Sequence, residues 1–211
     1  MDDLFFRSDH EKATQALNFF ALKANGIIYK LKAIKLVFLA DRYHLRRYGR
    51  PVVGDQYEAM NHGPVGSLTK NLAEHNDRYL EPDEKNYLER YLEASPDKLL
   101  YKSIAPTDEE VFSETDIEAL DFAWKNFGRL ERFALADFTH AYPEWHRHMD
   151  TVELPPHRAA MSYLDFFDDP DPDEPLLAIV GPHDLFEMSD EDKNIAREWA
   201  EETSEIERLL R

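Results

Sequence analysis

The chain has 211 residues, a formal net charge of −18 at pH 7, 43% hydrophobic residues and no cysteine. The apolar content is enough for a core, so the length fits one domain with an extension or two small domains. The acidic excess argues against a nucleic-acid or anionic-membrane partner over most of the surface. Without cysteine the chain has no disulfides, thiolate metal sites or Cys nucleophiles, which fits a reducing cytosol.

The charge is unevenly distributed along the chain. Residues 1–80 carry 12 Lys and Arg against 9 Asp and Glu, whereas residues 81–211 carry 13 against 34. The N-terminal stretch MDDLFFRSDH has acids where a secretory signal would have Lys or Arg. The longest apolar run, Leu36 to Ala40, is far shorter than the roughly 20 residues that span a bilayer. We therefore expect a soluble, cytoplasmic protein.

Two helices are predicted before residue 50. The first begins at a capping box of Ser8 and Glu11 and ends at Asn25-Gly26. The second runs from about Ile27 to Tyr48 and is apolar on nearly every side around its middle, which indicates the most buried helix of the fold. Three of its cations lie mostly opposite the apolar stripe and are candidates for contact with a partner: Lys35, Arg42 and Arg46.

One acid interrupts the apolar stripe of the second helix. At about 100° per residue, Asp41 points within roughly 20° of Ile34, where a carboxylate is costly unless it is hydrogen-bonded or paired. It is either a catalytic or partner-contacting acid, or a buried latch that accepts hydrogen bonds from backbone N–H groups of a neighbouring loop. We favour the latch, because a lone acid rarely makes a catalyst. The Gly63-Pro64 turn is the nearest candidate loop.

A β-hairpin is predicted after this helix. Its strands are Pro51 to Val53 and Tyr57 to Met60, which flank a tight turn at Gly54-Asp55. Gly63-Pro64 then opens a third helix. The run from Leu99 to Ile104 predicts a further strand that would widen the hairpin into a sheet.

Further helices are predicted from capping signals. Pro82 opens one, and Ser113 with Asp116 caps another that Gly128 closes. A third follows from about Leu130 to Phe138. Three nearby histidines lack the spacing of zinc ligands, so no metal site is predicted at His140, His146 and His148.

The order of these pieces is similar to that of a known domain family. The helix with LADRYH, the exit GRP, the strand YEA and the turn GPV follow one another within some 30 residues. They place the following residues: Leu39, Ala40, Asp41, Tyr43, His44, Gly49, Arg50, Pro51, Tyr57, Ala59, Gly63, Pro64 and Val65. This order resembles the Panacea antitoxin domain, also called SocA-like and often described as phage-associated. The resemblance covers about residues 10 to 150 and ends at Pro143-Glu144-Trp145.

The resemblance implies an antitoxin that binds a toxin encoded beside it and inactivates it by direct protein contact. We expect no catalysis, cofactor or metal, and a mainly α (α+β) fold. In that fold a helical domain is built around one buried central helix, with a two- to three-stranded antiparallel sheet. Eight motif residues are expected to hold this fold or to face the toxin: Asp41, Tyr43, His44, Arg50, Tyr57, His62, Gly63 and Pro64.

Two alternatives stay open. One is an enzyme that uses Asp41, His44 and His62 as acid and base groups. The other is a proteolytic adaptor, acting with a cellular protease, or a phage-associated regulatory protein. A homo-oligomer is compatible with the antitoxin interpretation and with both alternatives.

Residues 151–211 are predicted to form an acidic extension to the domain of residues 1–150. Leu154-Pro155-Pro156 indicates a linker, and Tyr163 to Phe167 an apolar anchor. Asp168 to Pro175 alternates acid and proline and should be extended and exposed. Leu176 to Val180 is predicted as a short edge strand.

Ser189 and Asp192 predict the start of a terminal helix. Its larger apolar residues form one narrow stripe: Ile195, Trp199, Ile206 and Leu210. We expect this stripe to pack on the preceding domain, since most such stripes belong to a core. The alternative is that the stripe faces the toxin, with Trp199 as its aromatic anchor.

Overall fold

The computed structural model describes residues 3–173, 175–179 and 188–210. The helices of these ranges are α1 His10–Lys23, α2 Lys30–Tyr48, α3 Ser67–Ala73, α4 Pro82–Tyr91, α5 Glu114–Phe127, α6 Arg132–Phe138, α7 Pro143–His146, α8 Met149–Val152 and α9 Asp190–Leu209. The strands are β1 Ile27–Tyr29, β2 Tyr57–Met60, β3 Gly63–Gly66, β4 Leu92–Ala94, β5 Leu100–Ser103 and β6 Arg158–Ala160. The predicted mainly helical fold with a small antiparallel sheet is confirmed, except that two three-stranded sheets form, ordered β1-β5-β4 and β3-β2-β6.

Helix α2 is the buried centre of the fold, as predicted. Leu36, Phe38 and Leu45 are fully buried, and α2 packs against α1, α3, α5, α6 and α9. Burying one such side chain contributes about 1.5–3 kcal/mol. Gly49 ends the helix in the left-handed conformation at φ 69°. None of the helices in the described ranges is both long and apolar enough to cross a membrane.

The predicted start of each of the first two helices was wrong. Ser8 does not cap α1; the carboxylate of Asp9 accepts the backbone N–H of Lys12, while the Ser8 hydroxyl donates to the carbonyl of Gly54. Residues 27–29, predicted as helical, form β1, in which Ile28 pairs with Tyr101 of β5. A partner strand more than 70 residues away supplies the backbone hydrogen bonds that a helix would otherwise have made.

The hairpin is also shifted from its predicted position. Residues 51–53 form no strand, and β2 pairs instead with β3 across the turn at Asn61-His62, with Tyr57 opposite Gly66. Strand β6 completes this sheet through Glu58 and Ala160. The predicted strand near residue 100 exists, but it joins the other sheet, between β1 and β4.

The C-terminal part packs against the front of the chain. The predicted anchor at residues 163–167 is a 3-10 turn with Phe166 and Phe167 fully buried. Residues 175–179 form a 3-10 turn rather than the start of an edge strand, and Val180 lies outside the described residues. Helix α9 lies on α2, but its predicted apolar stripe points outward.

Candidate functional site

Asp41 is a buried latch, though it holds a different loop from the predicted one. Its Oδ1 accepts the backbone N–H groups of Val52 and Val53 at 3.0 and 2.9 Å, and its Oδ2 accepts the hydroxyl of Tyr57 at 3.0 Å. Because the carboxylate accepts the N–H groups of Val52 and Val53, these two groups are not available for pairing with a neighbouring strand. Burial raises the pKa of Asp41 to about 7, although these hydrogen bonds lower it.

The Gly63-Pro64 turn is held by Lys35 instead. The Nζ of this fully buried lysine donates to the carbonyl of Pro64 at 2.7 Å. Gly63 is required there, because a Cβ would lie 2.4 Å from the Oγ1 of Thr139 and 3.0 Å from Nζ. Burial lowers the pKa of Lys35 well below its usual value. The predicted partner-contacting cation therefore binds the motif turn from inside the protein.

His44 and Arg50 meet in a second polar cluster. The Nδ1 of His44 lies 2.6 Å from the carbonyl of Arg50, and its Nε2 lies 2.9 Å from the hydroxyl of Thr115. Asp116 forms ion pairs with Lys12 at 2.8 Å and with Arg50 at 2.9 Å. Burial lowers the pKa of His44 to about 4, so the ring is neutral and ties the end of α2 to the start of α5.

The acid and base groups of the enzymatic alternative make separate sets of contacts. Asp41 and His44 are fully buried, whereas His62 is exposed at the turn between β2 and β3. His62 lines a surface cavity of about 610 Å³ together with Phe133 and Arg132. The guanidinium of Arg132 lies 3.9 Å from the ring centre of Tyr29 and 4.7 Å from that of Phe133. Within the described residues no group of three or more His, Asp or Glu side chains is arranged to hold a metal ion.

Arg42 and Arg46 bind the chain's own C-terminal part. Arg42 donates from Nε to Glu144 at 2.7 Å and from Nη2 to the carbonyl of Asp168 at 2.8 Å. Arg46 donates to the same carbonyl at 3.0 Å and to the carboxylate of Asp169 at 2.5 Å. Both arginines are buried, so the start of the predicted exposed segment is in fact anchored. Contact of Lys35, Arg42 or Arg46 with a partner stays a prediction that these buried positions do not favour.

Tyr43 and Trp199 do reach the surface, where they line a groove between α2, α5 and α9. Its volume is about 790 Å³. Tyr43 stacks on Phe122 at 4.0 Å between ring centres and donates its hydroxyl to Glu118 at 2.6 Å. Arg47 lies beside them, with a side chain that is 60% exposed. The groove presents aromatic faces and a cation to the solvent.

Sequence reasoning missed part of this groove. Tyr43 and Trp199 were among the candidates, but Phe122, Glu118 and Arg47 were not. Phe122 and Glu118 lie 70 or more residues from the α2 residues that they contact, so no local spacing marks them. An apolar residue next to an acid on a capped helix was the only available signal, and it is a common one.

Comparison with known proteins gives one finding. The family model described as "Antitoxin SocA-like, Panacea domain" matches residues 34–146. The match begins in α2 and ends at the last residue of α7, so it contains Asp41, Lys35, His44 and Arg50 with their contacts except the ion pair to Lys12, and it leaves out α1, β6 and α9. Neither a curated protein sequence nor a solved structure matches the chain.

Proposed function

Since the chain belongs to the SocA-like antitoxin family with a Panacea domain, we propose that it neutralises a co-encoded protein toxin by direct contact. The observation that carries this proposal, beyond membership, is the way the motif is used. Its acid and its buried histidine hydrogen bond to the chain's own backbone and side chains. Groups saturated in this way hold a scaffold together and have no lone pair or proton directed at a substrate.

The scaffold supports exposed surfaces suited to protein contact. Aromatic and arginine side chains dominate the energetics of protein interfaces. The groove between α2, α5 and α9 offers Tyr43, Arg47 and Trp199, and the cavity at the β2–β3 turn offers Arg132 and Phe133. A partner therefore has apolar surface with adjacent charge to bind, without any rearrangement of the motif.

The proposal is tested by co-expressing the chain with each product of the adjacent genes in a host that the toxin kills. We expect one pair in which growth is restored and the two proteins co-purify. Titration of the purified pair then separates binding from catalysis. A binder abolishes toxin activity at equimolar amounts, whereas an enzyme that modifies the toxin would do so at a small fraction of an equivalent.

The adaptor alternative predicts a different dependence. If the chain delivers its partner to a protease, the partner's half-life in the cell shortens when the chain is present, and growth is restored only in a protease-proficient host. Restoration in a protease-deficient host with an unchanged toxin half-life supports the direct mechanism. Absence of both association and protection with every neighbour contradicts the proposal.

A further inference from the structure

Helix α9 exposes its larger apolar residues. Trp199 is 49% and Ile206 58% exposed, and Ile195 lies on the same side of the helix at 39%. At about 100° per residue these three positions fall within roughly 40° of one another. On the same side the exposed Glu202 separates Trp199 from Ile206, and the exposed Leu209 and Leu210 follow at the end of the helix. The apolar residues therefore share one outer side of the helix and are interrupted there by one acid.

The inner face of α9 explains this orientation. Ala196 and Ala200 are buried and let the helix approach α2 closely, while the buried Ser204 accepts the backbone N–H of Phe5 at 2.8 Å. The approach is close at Gly49, where a Cβ would lie only 2.4 Å from the Cβ of Trp199. Small residues on both sides fix the helix with its bulky side chains outward. The exposure of the stripe is thus a property of the packed fold.

The acids and bases of α9 are also separated. Its basic residues turn towards the rest of the chain: Lys193 pairs with Asp169 at 2.5 Å, Arg197 lies over the ring of Phe167, and Arg208 donates to the carbonyl of Asp3. The exposed acids around the apolar stripe form no ion pair with any described residue: Glu198, Glu201, Glu202 and Glu205. At about 100° per residue these four acids all lie on one side of the apolar positions, and the buried alanines lie on the other, so the outer face has apolar residues with an acidic border along one edge.

We propose that this face, together with the adjoining groove, binds an amphipathic helix of the toxin that carries Lys or Arg beside its apolar residues. The inference rests on the proposed antitoxin function and specifies the partner element. A helix laid along α9 would bury the apolar residues and place cations against the four acids. The side chain that it inserts into the groove beside Trp199 would be apolar, because the exposed Arg47 lines that groove and repels a cation.

The negative charge of the α9 face distinguishes a basic helix from the other possible partners of this surface. A second copy of the chain would bring the acids of one α9 against those of the other, and like charges in such an interface cost several kcal/mol. An anionic membrane or a nucleic acid would be repelled in the same way. A basic helix is the partner for which both the apolar and the acidic parts of the surface are favourable.

The test uses the full-length chain and a synthetic peptide of about 18 residues, built of Leu and Lys so that Leu recurs at i, i+3, i+4 and i+7. The same composition in scrambled order is the control peptide. Calorimetric titration should show saturable binding of the amphipathic peptide that weakens with added salt. Equal affinity for the scrambled peptide would mean that charge alone is recognised and would overturn the proposal.

Two pairs of variants locate the binding surface. Trp199→Ala keeps the Cβ that packs on Gly49 and should weaken binding about tenfold or more. Tyr79→Ala removes an aromatic ring that is more exposed than Trp199 and lies outside α9, and it should have no effect. The charge reversal Glu198→Lys with Glu202→Lys should abolish binding. The same reversal at the exposed pair Glu109 and Glu110 is its control. Circular dichroism establishes that each variant is folded.

Testing the α9 variants for protection against the toxin separates this inference from the proposed function. If the wild-type chain protects against a neighbouring toxin and the α9 variants protect equally well, the inference is wrong and the antitoxin function stands. If no neighbour is neutralised, the function fails and the peptide titration still decides whether α9 binds a basic helix. Self-association that Trp199→Ala abolishes would identify a second copy as the occupant and overturn the proposal.

Discussion

Helices α2 and α9 lie against each other and distribute polarity in opposite ways. Helix α2 buries an aspartate, a lysine and two arginines, and it satisfies each of them with hydrogen bonds from or to its own chain. Helix α9 buries alanines and a serine and leaves its tryptophan and isoleucines outside. The family motif begins on the first helix, and the second helix lies beyond the matched range.

This contrast teaches which residues form the scaffold and which are left for a partner. Buried polar groups are retained only where their hydrogen bonds are complete, so the residues of α2 are explained by the fold itself. The apolar stripe of α9 has no such explanation within the described residues. The variants below test whether stability depends on α2 and is indifferent to the outer face of α9.

The largest loss of stability is expected for Asp41→Ala. The substitution leaves two buried backbone N–H groups and the hydroxyl of Tyr57 without an acceptor, and each orphaned group costs about 1–3 kcal/mol. We expect a loss of about 3–5 kcal/mol in the free energy of unfolding, measured by urea denaturation. Asp150→Ala, at an exposed position, is the control and should change stability by less than about 1 kcal/mol.

A smaller effect is expected at the junction of the two helices. Gly49→Ala places a Cβ in contact with Trp199 and Ala200 and forces alanine into the left-handed conformation, which together cost about 2–3 kcal/mol. Because the added atom pushes α9 away from α2, limited proteolysis should cut the C-terminal part faster. Gly26→Ala shares the positive φ, but its added Cβ meets no neighbour within 4 Å. Its loss of stability therefore measures the cost of the backbone conformation alone. Equal protease sensitivity in both variants would show that α9 does not depend on this contact.

Local signals in the sequence predicted the elements that depend on neighbouring residues. The capping of α5 by Ser113 and of α9 by Ser189 and the opening of α4 by Pro82 are confirmed, as is the buried position of α2. These features depend on spacings of a few residues, and such spacings determine backbone hydrogen bonds directly. The latch role of Asp41 followed for a similar reason, since an acid in an apolar stripe must be satisfied.

Features that depend on distant residues were predicted wrongly. Strand β1 requires β5, and the loop held by Asp41 could not be chosen from the sequence because residues 51–53 read equally well as a strand. The stripe of α9 was assigned to the core because periodicity shows that a helix has an apolar side but not which side packs. The buried Ala196 and Ala200, and the absence of a side chain at Gly49, decided which side packs. For the same reason the sequence identified Tyr43 and Trp199 of the surface groove but not Phe122 and Arg47.

The pH dependence of Asp41 gives a smaller and more specific effect. Asp41→Asn can keep all three contacts, since the amide oxygen accepts both N–H groups and the amide nitrogen donates to Tyr57, so we expect a loss of only about 1 kcal/mol at pH 5. Burial raises the pKa of Asp41 from 3.8 to about 7 in the folded chain. The contribution of the protonated acid to stability is therefore complete below pH 4 and is lost as the pH rises through about 7.

Comparing the wild type with Asp41→Asn isolates the titration of Asp41 from that of the neighbouring Asp55 and of other acids. The free energy of unfolding of the wild type, measured relative to Asp41→Asn, should fall between pH 5 and pH 8, the range that contains the raised pKa of about 7. A difference that stays constant over this range would mean that Asp41 titrates at its ordinary pKa. In that case the hydrogen bonds from Val52, Val53 and Tyr57 would offset the effect of burial on the pKa.

The smallest effect on stability is expected for Trp199→Ala, and it contrasts two tryptophans of one chain. Trp145 is 6% exposed and donates its Nε1–H to the carbonyl of Met60, so Trp145→Ala should cost about 3–5 kcal/mol. Trp199→Ala removes a half-exposed ring and should stay within about 0.5 kcal/mol of the wild type. A large loss at Trp199 would assign the α9 stripe to the fold, and the distinction between the two helices would disappear. Unchanged stability together with lost toxin protection would show that this ring is retained for a partner alone.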